Sequence, residues 1–426
     1  MSERPSKSAT EARSPREHLD RVIQHLRSFG ARPRSETIPV GPDALGRVLA
    51  EDVLAPLDSP RFDNSQMDGF ALAASDVERE DRVFLVGPVV AAGSDPEKVY
   101  PNGLEQGTVC PIMTGAKLPD GVGAVVPVER CEPPEFVEAG RRVSVPKAPS
   151  GQFIRTSGSD IMRGERVLGR GQAVTPHRLG ILAGMGCQEV VVRAQPRVLI
   201  CTGGEEVLGM DSTAESLGAA GVFDANAPML SALCVEYGLD VVGRVHTSDR
   251  PEDGASRLRE AVRQYRPDVI ITSGGISHGA FEVIRQIIGS SATSWFGHVS
   301  QQPGGPQGYG DCEGVPVICL PGNPVSTLVS FRVVIATAAA AVWGTRQPQS
   351  VQAVLETPVH GVEGKTQFRR GRIVNEGSAR RVAVVGGAGS HLLSQMAEAD
   401  CLLEVPANAQ LSHGDVVTAH LLNLGC

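Results

Sequence analysis

Apolar residues first recur with a helical period near the start of the chain. Leu19, Val22, Ile23 and Leu26 fall at i, i+3, i+4 and i+7, which puts them on one helix face. Ser14-Pro15-Arg16-Glu17, just before them, offers an N-cap Ser, a Pro at the first helical position and a Glu at the third. That is a capping box. Residues 1–13 mix both charge signs with Ser and contain no apolar run. They are expected to form a disordered, solvated tail and not a secretory signal. A second short helix is expected over 43–51, with Leu45, Val48 and Leu49 on one side.

The pattern changes after Pro56. Short β-rich segments at 82–90, 108–113 and 124–128 are separated by Gly and Pro. A helical pattern returns at 175–183, so residues 60–164 are expected to be a β-rich inserted domain. The flanks, 14–59 and 165–193, would make an elongated helical and mixed domain. Residues 194–345 then alternate. Strands are expected at 197–201, 240–245, 268–272 and 315–320, and helices at 228–237, 252–265 and 280–288. A long helix starts at Val325. Such alternation means βαβ units and an open, mostly parallel α/β sheet. After Gln347 only strand patterns remain, at 380–385, 401–405 and 416–421 and weakly at 353–355, so 346–426 reads as a C-terminal β domain. The expected fold class is therefore multidomain α/β plus β.

Composition narrows the function. The 426 residues carry 40 Lys and Arg against 48 Asp and Glu, a net charge of −8. This argues against broad binding of nucleic acid or of an anionic membrane. The apolar run 333–344 is shorter than the ~20 residues of a membrane span. Nine cysteines show no CxxC spacing, so they are expected to be free thiols in a reducing cytoplasm.

Four loops follow the expected α/β strands. They are Thr202-Gly203-Gly204-Glu205-Glu206, His246-Thr247-Ser248-Asp249, Ser273-Gly274-Gly275-Ile276-Ser277-His278-Gly279 and Leu320-Pro321-Gly322-Asn323-Pro324-Val325-Ser326. Ligands of open α/β sheets bind outside the carboxyl ends of the strands. Glycine backbone and helix N-termini there suit an anion, and Glu205 and Asp249 suit Mg²⁺ or a proton. A phosphate-bearing ligand with Mg²⁺ fits such an edge. Neither a Walker A loop nor GxGxxG is present.

The inserted region has a second polar group: Arg61 to Phe70, Ile112-Met113-Thr114-Gly115-Ala116 and Arg155 to Asp160. Phe62-Asp63-Asn64-Ser65-Gln66-Met67-Asp68-Gly69-Phe70 resembles the N-terminal signature of the MoeA family of molybdopterin molybdenumtransferases, which are related to the gephyrin E domain. Gly46 to Asp52, Ile112 to Ala116, Ser273 to Ser277, Leu320 to Ser326 and Gly389-Ser390-His391 fit the same pattern, so the resemblance runs from about residue 15 to 421. It implies insertion of molybdate into adenylylated molybdopterin with Mg²⁺ and release of AMP. It also implies an elongated homodimer of four domains with a cleft shared between subunits. A molybdopterin adenylyltransferase and molybdoenzyme clients are its implied partners.

Carried over by position, the resemblance implies catalytic roles for Asp68, Thr114, Glu205 and Asp249. It implies ligand contacts for Asp160, Asp224, Asn226, Ser273, Gly274, Gly275, Ser277, Pro321, Gly322, Asn323, Pro324 and Ser326. It implies metal contacts for Glu205, Asp249 and Glu282. Ser277 and Ser326 would offer hydroxyls to oxyanions. The chain also departs from the family pattern. Gly204 replaces an acid, Ser159 replaces a Glu, and Glu282 replaces an Asp. Gln302-Pro303-Gly304-Gly305-Pro306 stands where many members have Lys-Pro-Gly-Lys-Pro. Arg285, Arg369 or Arg370 are then the candidate sources of positive charge. Two alternatives stay open: a non-catalytic paralogue or scaffold, and a molybdopterin adenylyltransferase.

Overall fold

The computed structural model describes residues 12–80, 82–204, 207–208, 213, 219–247, 250–274, 283–289, 293–376 and 379–422. The chain divides into two compact units. One holds residues 37–45 and 51–190, and the other holds the remainder.

The smaller unit is built on a five-stranded sheet. Its strands are β1 (Gly69–Ala73), β2 (Val83–Val86), β3 (Thr108–Ile112), β4 (Val122–Pro127) and β5 (Arg142–Ser144), in the order β4-β1-β3-β2-β5. All five residues of β1 are buried. Phe70 and Leu72 join one core with Phe84 and Val126, while Ala71 and Ala73 join another with Cys110 and Ile112. Covering both faces explains why β1, β3 and β4 read as continuous apolar runs, whereas β2 leaves Val83 and Leu85 exposed. Gly69 is required by close approach, since a Cβ there would lie 2.1 Å from the Val126 carbonyl oxygen. Gly69→Ala is expected to cost about 1–3 kcal/mol through backbone displacement. A lowered melting temperature checks this, and an unchanged one contradicts it.

The helix expected over 43–51 does not form. A single 3₁₀ turn, Pro42–Ala44, is present instead. Gly46 then takes φ +76°, a conformation that stops a right-handed helix. Arg346 fills the space where a Gly46 side chain would stand, and Leu49 bridges to Val192 as extended chain. The apolar spacing there served burial of Leu49 alone, because Leu45 is half exposed.

The larger unit begins with α1 (Pro15–Ser28), whose Ser14/Glu17 capping box is made. Leu19, Val22 and Leu26 pack into the same core as Tyr309, Val342 and Trp343. The helix thus belongs with the α/β sheet and not, as expected, with residues 165–193. Nor is Arg13 part of a loose tail. Its backbone bridges Val299, and its guanidinium lies 3.8 Å from the Trp295 ring centroid.

The sheet has strands β6 (Arg197–Gly203), β7 (Asp240–Thr247), β8 (Val269–Ser273), β9 (Trp295–His298), β10 (Pro306–Cys312) and β11 (Val315–Leu320). Their order is β7-β6-β8-β11-β10-β9. The first four are parallel, and β10 and β9 add an antiparallel edge. After α2 (Pro176–Gly184) of the smaller unit, helices α3 (Asn226–Glu236), α4 (Pro251–Tyr265) and α5 (Val283–Ile288) connect these strands. One core gathers Val198, Ile200, Ile271 and Ile318, and the other gathers Leu199, Cys201, Ile270 and Cys319. Both faces are therefore covered, as a parallel sheet requires. The start of the helix expected at 280–288 lies outside the described residues.

The long helix is continuous from Pro324 to Trp343, as α6 (Pro324–Ser330), a π-helical turn Phe331–Ile335 and α7 (Ala336–Trp343). Its 20 residues are long and apolar enough to cross a membrane by composition, but 72% of its apolar stretch is buried inside the fold. It is a core helix. Beyond it, β12 (Ser350–Leu355), β13 (Thr366–Glu376), β14 (Ala379–Val384), β15 (Cys401–Val405) and β16 (Val416–Leu421) pair in the cycle β13-β14-β12-β16-β15-β13. Closure leaves this cycle without a free edge. Cys110, Cys131, Cys201, Cys234, Cys312, Cys319 and Cys401 are buried and unpaired. Burial pushes the Cys201 and Cys319 thiols up to about 12, which keeps them protonated and unreactive.

Candidate functional site

The carboxyl ends of β6, β8 and β11 stand side by side. From β6 the chain goes to β7 on one side and to β8 on the other, so β6 and β8 flank the point where strand order reverses. This is where open α/β sheets hold their ligands. A cavity of about 550 Å³ opens there, within the size range of small-molecule sites. Thr202, Gly203, Asp224, Asn226, Ser273, Gly274, Pro321, Gly322 and Pro324 line it.

Glycine is needed where the loops meet. Gly274 has φ +94°, and a Cβ on Gly322 would lie 3.2 Å from the Gly274 Cα. The two loops therefore touch backbone to backbone, which keeps side chains out of the floor. Helices α3 and α6 begin at the cavity and direct their positive dipole ends toward it. His246 Nε2 lies 3.2 Å from the Gly204 carbonyl, and the Thr247 hydroxyl donates to the Thr202 carbonyl. These contacts tie the loop after β6 to β7.

Several polar side chains hold the loops in place. Asp224 is buried; one oxygen accepts from the Thr202 hydroxyl at 2.8 Å, and the other accepts from the backbone N–H groups of Asn226 and Ala227. Ser273 is buried, with its hydroxyl 3.0 Å from both the Pro321 carbonyl and Thr327 Oγ1. Asn323 caps α6 by accepting from the Ser326 N–H, and the Ser326 hydroxyl also faces it. Ser326 is buried and serves as the capping partner of Asn323. The Asn226 side chain donates to the Gly322 carbonyl at 2.8 Å, and its own Oδ1 is buried without a partner. Glu205, Asp249, Gly275, Ser277 and Glu282 lie outside the described residues.

Other lining residues were not anticipated. Val222 and Phe223 border the cavity while remaining half exposed, and Pro306 and Leu393 complete it. An exposed Val-Phe pair beside an Asp-x-Asn segment was the only available signal for the first two. The Leu393 contribution depends on the β domain folding back, which no local pattern encodes.

The smaller unit brings together its own three polar segments. Asn64 and Ser65 pair with Arg155 and Ile154, and Asp63 accepts from the Ser157 N–H at 2.7 Å. Asp160 accepts from the Ser59 hydroxyl at 3.2 Å. Asp68 is largely exposed, and its Oδ1 accepts both the Thr114 N–H at 2.6 Å and the Thr114 hydroxyl at 2.7 Å. Those bonds hold the Asp68 carboxyl below the usual range, because they favour the charged form. Gly115 follows at φ +79°, closing the turn that presents both groups. In Thr114→Val the hydroxyl donor is lost, so the Asp68 carboxyl should titrate at higher pH. An NMR titration checks the shift, and a value that stays or falls contradicts it.

At the positions departing from the family pattern, the Gln302 side-chain Oε1 accepts from Gln367 Nε2 at 2.8 Å. A side chain on Gly305 would press on His298 and the Val299 carbonyl. Arg370 is buried, and its guanidinium donates to the Gly387 and Gly389 carbonyls and to Gln395. It braces the 386–395 loop. Arg369 is half-buried and donates to the Gly386 carbonyl at 3.4 Å. The Arg285 guanidinium lies 5.5 Å from the Phe296 ring centroid. Burial lowers both Arg369 and Arg370 from the usual guanidinium value.

Comparison with known proteins covers nearly the whole chain. Residues 13–186 match the MoeA N-terminal region (domain I and II), 193–341 a probable molybdopterin binding domain, and 352–422 the MoeA C-terminal region (domain IV). Molybdopterin molybdenumtransferase 2 of Mycobacterium tuberculosis is 37% identical over 403 residues, 92% of this chain and 95% of that protein. Molybdopterin molybdenumtransferase of Haemophilus influenzae is 29% identical, over 89% and 92%. The crystal structure of a molybdopterin biosynthesis MoeA protein from Pyrococcus horikoshii matches with a TM-score of 0.76 at 26% identity, covering 96% of this chain and 99% of that one.

Proposed function

The chain belongs to the MoeA family of molybdopterin molybdenumtransferases, and on that premise we propose that it inserts molybdate into adenylylated molybdopterin and releases AMP. The observation that carries this reading is the cavity at the carboxyl ends of β6, β8 and β11, floored by glycine backbone and faced by two helix N-termini. Such a floor suits phosphate or molybdate, which need N–H donors and no bulky neighbour. Val222 and Phe223 add an apolar wall, which suits the flat face of a pterin.

The roles divide by what each group has free. Asp224 has both oxygens occupied, so it orders the α3 N-terminus and is not the base. Asn226 fixes the Gly322 carbonyl and so the height of the cavity floor. Asp68 supplies an ionised carboxylate to the reaction. Among the described residues no three acidic, His or Cys side chains gather. The expectation of Mg²⁺ rests on Glu205, Asp249 and Glu282.

The enzyme is proposed to work in the cytoplasm as a homodimer, taking substrate from a molybdopterin adenylyltransferase and serving molybdoenzymes. Complementation of a strain lacking this activity tests the function. Rescue is expected, and it is expected to need raised molybdate, because Gln302 and Gly305 supply no positive charge. A folded protein that fails to rescue at any molybdate concentration overturns the proposal.

A further inference from the structure

Behind the cavity wall lies a polar cluster that the proposed chemistry does not use. Gln301, Gln307 and Ser330 are 2%, 1% and 0% exposed. Ser330 Oγ accepts from Gln301 Nε2 at 3.3 Å and from Gln307 Nε2 at 3.2 Å. Each amide also donates within its own loop, Gln301 to the Pro303 carbonyl at 3.0 Å and Gln307 to the Gly304 carbonyl at 2.9 Å. Both amide oxygens are buried without a hydrogen-bond partner. Burying such groups costs stability. Three apolar side chains would fill this space at lower cost, so the cluster is not explained by stability.

Its geometry suggests what it does instead. Pro306 lines the cavity, and Gln307 is the next residue on β10. Successive strand residues face opposite ways, so fixing the Gln307 amide fixes where Pro306 stands. Pro324, at the start of α6, lines the same cavity, and Ser330 ends that helix. The turn between Gln301 and Gln307 lies directly on α6. A Cβ on Gly304 would meet Ser330 Oγ at 2.9 Å and the Ser326 carbonyl at 3.4 Å. Ser330 thus joins both ends of the turn to the helix whose first residue, Pro324, lines the same cavity.

We propose that Gln301, Gln307 and Ser330 are positioning residues that clamp the 302–306 turn onto α6 and thereby set the affinity of the cavity for its oxyanion. The proposal rests on the molybdate-inserting function, with molybdate as the oxyanion. The clamp holds the walls at the separation a tetrahedral anion needs, and its loss relaxes binding without touching the reacting atoms.

The test is the triple variant Gln301→Met/Gln307→Met/Ser330→Ala, compared with Ser330→Ala and Ser330→Thr in the full chain. The triple variant and Ser330→Ala are expected to raise the KM for molybdate by about 10-fold, a typical consequence of small misplacements. The kcat at saturating molybdate should stay within about 2-fold, because no reacting group is removed. Ser330→Thr, which keeps the hydroxyl, should restore the KM, and the triple variant should melt no lower than the native protein. Hydrogen exchange at Gly304 and Gly305 reads the clamp without any substrate, and it should quicken in Ser330→Ala. Unchanged exchange overturns the clamp whatever the enzyme does. Quickened exchange with an unaltered molybdate KM overturns its role in affinity. Absence of molybdate-dependent turnover in the native protein defeats the functional reading alone and leaves the exchange result to decide the clamp.

Discussion

Asp68→Ala is expected to slow molybdate insertion by at least about 100-fold, the range for loss of a positioned acid–base or charged group, while the fold stays intact. The carboxylate contributes little to packing, since it stands at an exposed turn. Among the described residues it bonds only to Thr114, through Oδ1. The second oxygen is left to face substrate or water. Asp68→Asn separates the two functions of this group. It keeps an acceptor for Thr114 but removes the charge, so the turn should survive and the activity should not. Steady-state kinetics with thermal melting as the folding control check the pair. An Asn variant with near-native turnover would leave Asp68 as a turn-capping residue only.

The largest expected loss of stability comes from Arg332→Ala, about 3 kcal/mol, from a cavity at a buried site and the loss of two charge-assisted hydrogen bonds. Arg332 is 2% exposed and sits in the π-helical turn of the long core helix. Its Nε donates to the Leu421 carbonyl at 2.8 Å, and its terminal nitrogen donates to the Gln349 carbonyl. Those carbonyls lie at the two ends of the β domain, at the close of β16 and just before β12. One side chain therefore fastens both ends of that domain to the helix. Removing it takes the guanidinium donor from both carbonyls, leaves the Gln349 carbonyl with only the Leu421 N–H, and opens a cavity. Arg332→Met refills much of the space without donors and should recover only part of the loss. Denaturant unfolding checks the order native, Met, Ala. A loss below about 1 kcal/mol in the Ala variant, the worth of one ordinary hydrogen bond, would contradict the bracing role.

The sequence disclosed those elements whose physics is local. The capping box at Ser14, the strand 401–405 and the described starts of the glycine loops, at Gly203, Gly274 and Gly322, depend on nearby residues, and they form where expected. The antiparallel edge was hidden, because β10 carries Gly308 and Gly310 where a strand pattern calls for apolar side chains. Gly308 is needed because the Phe296 ring lies across it, a reason that only the folded sheet supplies. The eleven-residue strand β13 was hidden by Arg369, Arg370 and Arg372, whose guanidiniums reach loops and carbonyls elsewhere in the β domain. At the site, residue types named the loops that border the cavity, while the hydrogen bonds each side chain makes depend on its neighbours in the fold. Asp224, Ser273 and Ser326 were read as ligand contacts; each also bonds within the protein, and Asp224 and Ser273 line the cavity. Whether a hydroxyl faces a ligand or a neighbouring loop depends on long-range packing.

Positive charge is the sharpest difference from the family pattern. Arg370, which sequence alone offered as a substitute, is engaged with the 386–395 loop. With Arg370 so engaged, Arg285 and Arg369 are the remaining candidate cations, and the proposed function rests more heavily on glycine backbone and helix dipoles, so weak molybdate binding is expected.

The central claim is tested most directly by incubating the purified protein with adenylylated molybdopterin and following AMP release as molybdate is varied. The account predicts saturable, molybdate-dependent release of one AMP per cofactor formed. Release at the same rate with and without molybdate, or none from a folded protein at any molybdate concentration, would contradict it.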